Sequence, residues 1–283
     1  WRAALFLFER QWAQVRSYAA SRGVRLIGDM PIYVGRDSVD VWRNQSLFLL
    51  DDAGLPTKVA GVPPDAYAEA GQLWGNPLFD WAAMEADGYA WWAARVRRAL
   101  AHCDALRIDH FIGFSRYWAV DADAEDARGG AWCPGPAHKV FEALAEALGP
   151  LPLIAEDLGD VDEGTIALRD DLGLPGMRVA PFGYDHNAEN IHHPSNHPVR
   201  CLAYSSTHDS DTARGWWESL DHDYRGGLGL GHDGRAASRK MVDDTLHSQA
   251  VWAILPVQDM LQLGSEARMN VPGTAEGNWN WRQ

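Results

Sequence analysis

Long apolar runs are missing from this sequence. No stretch of about 18 apolar residues occurs among its 283, so a transmembrane helix is not expected. No basic-then-apolar leader with a small-residue cleavage site opens it, so a secretion signal is not expected either. Its first residue is Trp1 rather than Met, as in a sequence that begins inside a longer protein. Cysteine is scarce. Cys103, Cys133 and Cys201 are odd in number and far apart, with no CxxC or Cys/His ligand spacing. That argues against a disulfide framework and against a zinc site, and makes a reducing cytoplasm the expected location. Positive charge is short as well. A net charge of -14 supplies no basic patch to displace counterions from a nucleic-acid backbone, and it suits a soluble protein with a neutral substrate. Neither GxGxxG nor GxxxxGK[ST] follows a predicted strand, so nucleotide binding has no support; no metal and no cofactor are expected.

Apolar residues are plentiful at 46%, enough for one large domain or two small ones. Tryptophan is abundant, with 14 residues. Indoles pack cores more often than they stack on sugar rings, so the excess favours a carbohydrate ligand only mildly.

Along the chain, helical periodicities alternate with short apolar runs. Phe8, Trp12, Val15 and Ala19 lie at helical spacing and end at Gly23, a predicted C-cap. The run 24–29 follows and ends in Asp29. Residues from about 35 to 87 lack sustained periodicity and read as a long structured loop, which is uncommon in a compact domain and often functional. Tyr89, Trp92, Val96 and Leu100 form the next helix face, and the run 104–109 ends in Asp109. Val140, Phe141, Leu144 and Leu148 form another, stopped by Gly149, and the run 151–156 ends in Glu156. Further elements are a helix holding Ile166, strands at 177–180 and 201–204, a helix at 236–249 and a strand at 251–255. Asp259 is placed as the N-cap of a short helix before Gly264. About six strands alternating with helices indicate βα units and a parallel sheet, either open and doubly wound or closed as a barrel.

Three acids lie at or just after strand ends: Asp109, Glu156 and Asp209. In a parallel α/β barrel such ends converge on one face, which holds the active site. A single acid of this kind is more often a helix N-cap; three, each beside other polar residues, are harder to explain so. Arg107 lies two residues before Asp109 and points to the same side of the strand. A fixed cation there keeps Asp109 ionised, as a nucleophile requires. Glu156 follows an apolar run, and desolvation makes it the candidate general acid. Retaining glycosidases use such a pair about 5–5.5 Å apart. His110 and His208 could hydrogen-bond sugar hydroxyls, although a lone histidine is more often structural.

In these residues the chain resembles the 4-α-glucanotransferases of glycoside hydrolase family 77, the amylomaltases and plant disproportionating enzymes. The resemblance spans nearly the whole chain. It rests on Gly28-Asp29-Met30-Pro31-Ile32-Tyr33-Val34, Asp40-Val41-Trp42, Val59-Ala60-Gly61-Val62-Pro63-Pro64-Asp65 and Gly71-Gln72-Leu73-Trp74-Gly75-Asn76-Pro77. It continues in Arg107-Ile108-Asp109-His110-Phe111, Ile154-Ala155-Glu156-Asp157-Leu158-Gly159, Thr207-His208-Asp209, Gly264-Ser265-Glu266-Ala267-Arg268-Met269-Asn270 and Gly277-Asn278-Trp279. It implies a TIM-type (β/α)8 barrel and a double displacement on α-1,4-glucans such as maltooligosaccharides and amylose. By the same resemblance Asp109 is the nucleophile, Glu156 the acid/base and Asp209 the transition-state stabiliser. Asp29, Gln72, Trp74, Arg107, His110, Phe182 and His208 match substrate-binding positions, and the segment from Pro64 to Gln72 resembles a lid. Three departures occur. Ile112 stands in place of Arg, Ser205-Ser206 in place of Thr-Gly, and Ala180-Pro181 in place of Leu-Gln before Phe182. Family members are considerably longer. The first strand here resembles the third of the barrel, so the chain is expected to hold about six of the eight strands, its N-terminal part missing, and to be poorly stable or inactive by itself.

Other readings are an α-amylase-type hydrolase that uses the same acids with water as acceptor, a non-catalytic glucan-binding protein, and a structural role for all three acids as helix caps and ion pairs.

Overall fold

The computed structural model describes residues 1–65, 68–274 and 276–283. They divide into two compact units, Trp1–Leu174 and Pro175–Gln283.

The first unit opens with α1 (Arg2–Ser21), which ends as the sequence predicts. The N–H of Gly23 (φ 70°) donates to Ala20 O and that of Val24 to Ala19 O, so two orphan carbonyls of the last turn are satisfied. The face expected to be buried differs. Phe8 and Val15 are about half exposed, and no residue of α1 is fully buried. Trp12 and Ala19 of that face are half-buried, together with Glu9 and Arg16. Trp12 Nε1 donates to His102 O (2.9 Å), and Arg16 donates to the carbonyls of Ala101 and Cys103 and to Asp104. Polar anchors, not apolar periodicity, set its rotation.

Three parallel strands follow: β1 (Ile27–Pro31), β4 (Ala105–Asp109) and β7 (Leu153–Ala155), in the order β1-β4-β7. Leu106 and Ile108 point one way, into a core shared with α4 (Ala90–Leu100) and α6 (His138–Leu148), where Trp92, Val96, Val140 and Leu144 are essentially inaccessible. Arg107 and Asp109 therefore point the other way, because side chains alternate along a strand. A short α5 (Ile112–Ser115) follows β4, and α7 (Glu163–Asp171) follows β7. Ile166 lies in α7 as expected but is exposed; Thr165 and Leu168 carry the buried face.

The stretch read as a long loop has more order than its composition suggested. It holds α2 (Val39–Arg43), a 3-10 turn at Gln45–Leu47, β2 (Lys58–Val62), β3 (Gln72–Pro77) and α3 (Trp81–Ala86). The strands β2 and β3 join β5 (Arg116–Asp121) and β6 (Ala131–Pro134), neither of which was foreseen, in an antiparallel sheet of order β3-β2-β5-β6. Period-two alternation is hidden here because Gly61, Gly71, Gly75 and Pro77 interrupt it. Gly71 is required by geometry: its φ is 67° and a Cβ would lie 2.4 Å from Val62 O. The lid expected at 64–72 includes positions 66 and 67, which lie outside the described residues.

The second unit contains β8 (Gly176–Val179), α8 (Ala180–Gly183), β9 (Cys201–Tyr204), α9 (Ala213–Ser219), α10 (His222–Arg225), α11 (Gly234–His247), β10 (Trp252–Ile254) and α12 (Val257–Met260). Its strands form a parallel sheet of order β10-β9-β8. Ala213 and Trp217 pack against Ala237 and Met241 of α11. Asp259 does not cap a helix of its own. Pro256 precedes α12, and Asp259 lies inside that helix, fully buried. The chain thus has a mixed α/β fold, with six parallel strands among the described residues, three in each unit.

Aromatic packing dominates the first core. Trp92 is inaccessible to solvent and its ring lies 5.0–6.1 Å from those of Phe79, Trp81, Trp91 and Phe114. Trp92→Ala is expected to lower unfolding free energy by about 3–5 kcal/mol. Trp42→Ala, at a position 74% exposed, should change it by less than about 0.5 kcal/mol. Urea unfolding of the two variants checks the contrast.

Candidate active site

The outward face of the β1-β4-β7 sheet carries a cluster of charges. Asp29 of β1 and Arg107 of β4 are direct partners in the strand register. Arg107 Nη1 donates to Asp29 Oδ1 and Oδ2 (2.7 and 2.8 Å), and Nη2 donates to Asp109 Oδ1 (3.0 Å). Arg107 is 7% exposed. Burial pulls its pKa down, but Asp29, Asp109 and Glu156 outweigh that and hold it protonated. The expected fixed cation is therefore present, shared between two carboxylates.

Glu156 follows β7, one position beyond the Ile108–Ala155 pair. Adjacent parallel strands lie about 4.8 Å apart, so Asp109 and Glu156 are neighbours on one face. The main chain fixes Glu156 closely: its N–H donates to Ile108 O, and its carbonyl accepts from the N–H of Phe111. His110 has a φ of 57°, which a non-glycine residue adopts at a cost. That turn directs the His110 N–H onto Glu156 Oε2 at 2.7 Å. Burial pushes the Glu156 carboxyl up to about 8. The Asp109 charge adds to the rise, while Arg107 and the His110 N–H oppose it. The two acids differ in setting: Asp109 is partly open to solvent with a cation against it, and Glu156 is buried in surroundings that favour its protonated form. Next to it, Asp157 forms a buried ion pair with Arg169 of α7 (2.5 Å), which pins the chain after Glu156.

An aromatic wall adjoins these acids. The antiparallel sheet presents Gln72 and Trp74 from β3, and Trp74 Nε1 donates to Gln72 Oε1 (3.1 Å). The Trp74 ring meets His110 edge-on at 4.7 Å, and Tyr33 lies 6.3 Å from both. Burial lowers the His110 pKa to about 4, so its ring is neutral near pH 7, with a buried Nε2 that has no protein partner. Asp29, Gln72, Trp74, Arg107, Asp109, His110 and Glu156 therefore form one group. Tyr33 had not been singled out as a site residue, because within the strand-end motif it looks like core.

In the second unit, Asp209 follows β9. Asn270 Nδ2 donates to its Oδ1 (2.7 Å), Arg268 Nη2 to its carbonyl (2.8 Å), and His208 Nε2 lies 3.2 Å from its Oδ2. The His208 ring rests 5.4 Å from Trp279. A cleft of about 250 Å³ is lined by Tyr204, Thr207, His208, Arg268, Met269 and Trp279 among others. Arg268, Asn270 and Trp279 lie in motifs that carried the resemblance but received no role. Contact with a residue some 60 positions away leaves no local pattern to read. Phe182, in α8, is 42% exposed and meets His192 edge-on.

None of the three acids caps a helix. The N-cap positions of α5, α7 and α9 are Phe111, Asp162 and Thr212. The departures are absorbed locally: Ile112, Ala180 and Pro181 are buried, and the hydroxyls of Ser205 and Ser206 both donate to Asp259.

The chain is 47% identical to the chloroplastic/amyloplastic 4-alpha-glucanotransferase of Solanum tuberosum over 99% of its length and 49% of that protein. It is 43% identical to the 4-alpha-glucanotransferase of Thermus thermophilus over 98% of its length and 57% of that protein. An amylomaltase from Streptococcus agalactiae, solved in complex with acarbose, superposes with a TM-score of 0.92 and 37% identity, over 98% of this chain and 57% of that one. The chain spans about half the length of the curated relatives it matches. The family model described as 4-alpha-glucanotransferase matches residues 1–283 without a gap at either end, and the chain belongs to that family, glycoside hydrolase family 77.

Proposed function

We propose that this chain carries the reacting groups of a retaining 4-α-glucanotransferase that moves α-1,4-glucan segments between maltooligosaccharides, or onto glucose, through a covalent glycosyl-enzyme. The observation that carries the reading is the differentiated pair: Asp109 held beside Arg107, and Glu156 buried with its carboxyl pushed up to about 8. In this reading Glu156 protonates the departing glycosidic oxygen while Asp109 attacks the anomeric carbon. The Glu156 carboxylate so formed then takes the proton from the incoming 4-hydroxyl of the acceptor sugar, and attack of that oxygen releases Asp109. Asp209, oriented by Asn270, stabilises the oxocarbenium-like charge. Neutral His110, with Gln72, Asp29 and His208, binds sugar hydroxyls, and Trp74 and Phe182 offer flat apolar faces.

Membership of the family favours transfer over hydrolysis. The superposed amylomaltase was solved with acarbose, an oligosaccharide-like ligand, which supports glucans as substrates here. Six parallel strands with intervening helices, together with that superposition, support a TIM-type (β/α)8 barrel for the catalytic domain. For location we propose the cytoplasm on cysteine usage, while the potato relative is a plastid protein.

Incubating the intact protein with maltotriose decides between acceptors. Glucose plus longer maltooligosaccharides is the expected product set; shortened products alone would make the enzyme a hydrolase. Asp109→Asn should lower turnover by at least about 10³-fold, with no glycosyl-enzyme trapped in rapid-quench mass spectrometry. Wild-type activity in that variant would end the assignment of the nucleophile.

The acid/base role has a pH signature. kcat/KM requires Glu156 protonated, so it should fall as pH rises through about 8. Glu156→Gln should abolish transfer from maltotriose, on the order of 10³-fold, yet still release fluoride from a maltosyl fluoride, whose leaving group needs no proton. Stability moves in step. The folded carboxyl holds its proton from about 4.5, where it is lost in the unfolded chain, up to about 8, so this group's contribution to stability falls with rising pH across that window and is level above it. Glu156→Gln should therefore gain stability over the wild type between pH 5 and 8, by a few kcal/mol at the upper end. Equal pH slopes for the two proteins in denaturant unfolding would contradict the raised carboxyl.

A further inference from the structure

Asp259 is a fully buried acid with no part in the reaction as derived above. Its carboxylate points out of α12. Oδ2 accepts from Ser205 Oγ (2.7 Å) and Ser206 Oγ (2.6 Å), and Oδ1 accepts from the N–H of Ala213 (2.7 Å). Ser205 and Ser206 are the first residues after β9, and Ala213 is the first residue of α9. One carboxylate therefore ties both ends of segment 207–212, which carries His208 and Asp209.

The residues after Asp259 grip the middle of the same segment. Ser265 Oγ donates to Asp211 Oδ2 (2.6 Å), while Arg268 and Asn270 hold the carbonyl and the carboxylate of Asp209. Asp259 is itself anchored, since Ser238 Oγ of α11 donates to its carbonyl (3.0 Å). A carboxylate is an expensive group to bury, and an apolar side chain of similar size would fill the space. Its two oxygens let one side chain join hydroxyls on one side to a backbone N–H on the other. Groups that stabilise developing charge act through fixed placement, and a displacement of 1 Å can cost about 10²-fold in rate.

We propose that Asp259 is a positioning residue for Asp209: it closes the ends of segment 207–212 so that Asn270 and Arg268 meet Asp209 in a single geometry. The inference rests on the transferase reading and on the role given there to Asp209.

The test uses the intact protein and maltotriose disproportionation. Wild-type turnover is measured first; no transfer at all would overturn the reading of function and not this inference. Asp259→Asn keeps the shape but replaces one acceptor oxygen with an amide N–H₂, so either the two serine hydroxyls must turn from donors to acceptors or the Ala213 N–H loses its partner. The expected result is a kcat lower on the order of 10²-fold with KM within about twofold. The double variant with Asn270→Ala should be little slower than Asp259→Asn alone, since both losses act through Asp209. A folded Asp259→Asn with kcat within about twofold of wild type overturns the proposal. So do losses that multiply fully in the double variant, because Asp259 would then affect turnover by a route that does not pass through Asp209. If thermal unfolding shows that Asp259→Asn does not fold, the pair Ser205→Ala/Ser206→Ala, which empties Oδ2 of donors, is judged by the same kcat, KM and coupling to Asn270→Ala.

Discussion

The guanidinium of Arg107 is the interaction on which the first unit's chemistry depends. It is buried, permanently charged, and bonded on either side to carboxylates from two strands, Asp29 and Asp109. A buried cation without partners would be very costly, and two carboxylates at adjacent strand ends without a cation would repel each other. Each makes the other tolerable. The parallel register of β1 and β4 allows it: Asp29 and Arg107 are cross-strand partners, and the two-residue repeat of a strand puts Asp109 on the same face. The opposite face of β4 is occupied by Leu106 and Ile108 in a tight aromatic and aliphatic core, so the strand cannot slip by one residue without reversing every one of these placements.

The second unit holds its acid with donors drawn from a distant segment. The carbonyl of Asp209 accepts from Arg268 and its carboxylate from Asn270, with His208 alongside, and the segment bearing it is closed by Asp259. The residues that hold it come from the stretch 258–270, some fifty to sixty positions along the chain. Each unit thus holds its acids with a strand end plus a distant segment, and in each the main chain supplies part of the hold. The His110 N–H on Glu156 and the Ala213 N–H on Asp259 are the clearest cases.

What could be read from the sequence follows from this arrangement. Parallel strands and their helices were legible because period 3.6 and short apolar runs are local signals. Tyr89, Trp92, Val96 and Val140, Phe141, Leu144 proved to be core, and Gly23 and Gly149 end their helices in left-handed backbone. The strand-end acids and the Arg107–Asp109 pairing were legible for the same reason, since both use spacing along one strand. The antiparallel sheet was not. Its strands are short, broken by glycine and proline, and paired across up to about sixty residues, so alternation alone could not raise them above loop composition. The rotation of α1 was missed because Arg16 and Trp12 anchor it through carbonyls rather than through an apolar stripe. Asp259 was misread because a lone acid near a helix start looks like a cap. Its real partners sit 46 to 54 positions away.

That last misreading shows how burial and pairing decide an acid's role. Asp109, Glu156 and Asp259 each lie in or beside short elements of similar sequence texture. Asp109 meets a cation and keeps some access to water. Glu156 meets one N–H and a neighbouring negative charge in a dry setting, which favours its neutral form. Asp259 meets three donors and no cation, and its oxygens are fully engaged with protein. The nucleophile and acid/base roles proposed for Asp109 and Glu156, and the positioning role proposed for Asp259, each rest on these surroundings. The ordering comes from solvation and partner charge, not from the identity of the residue.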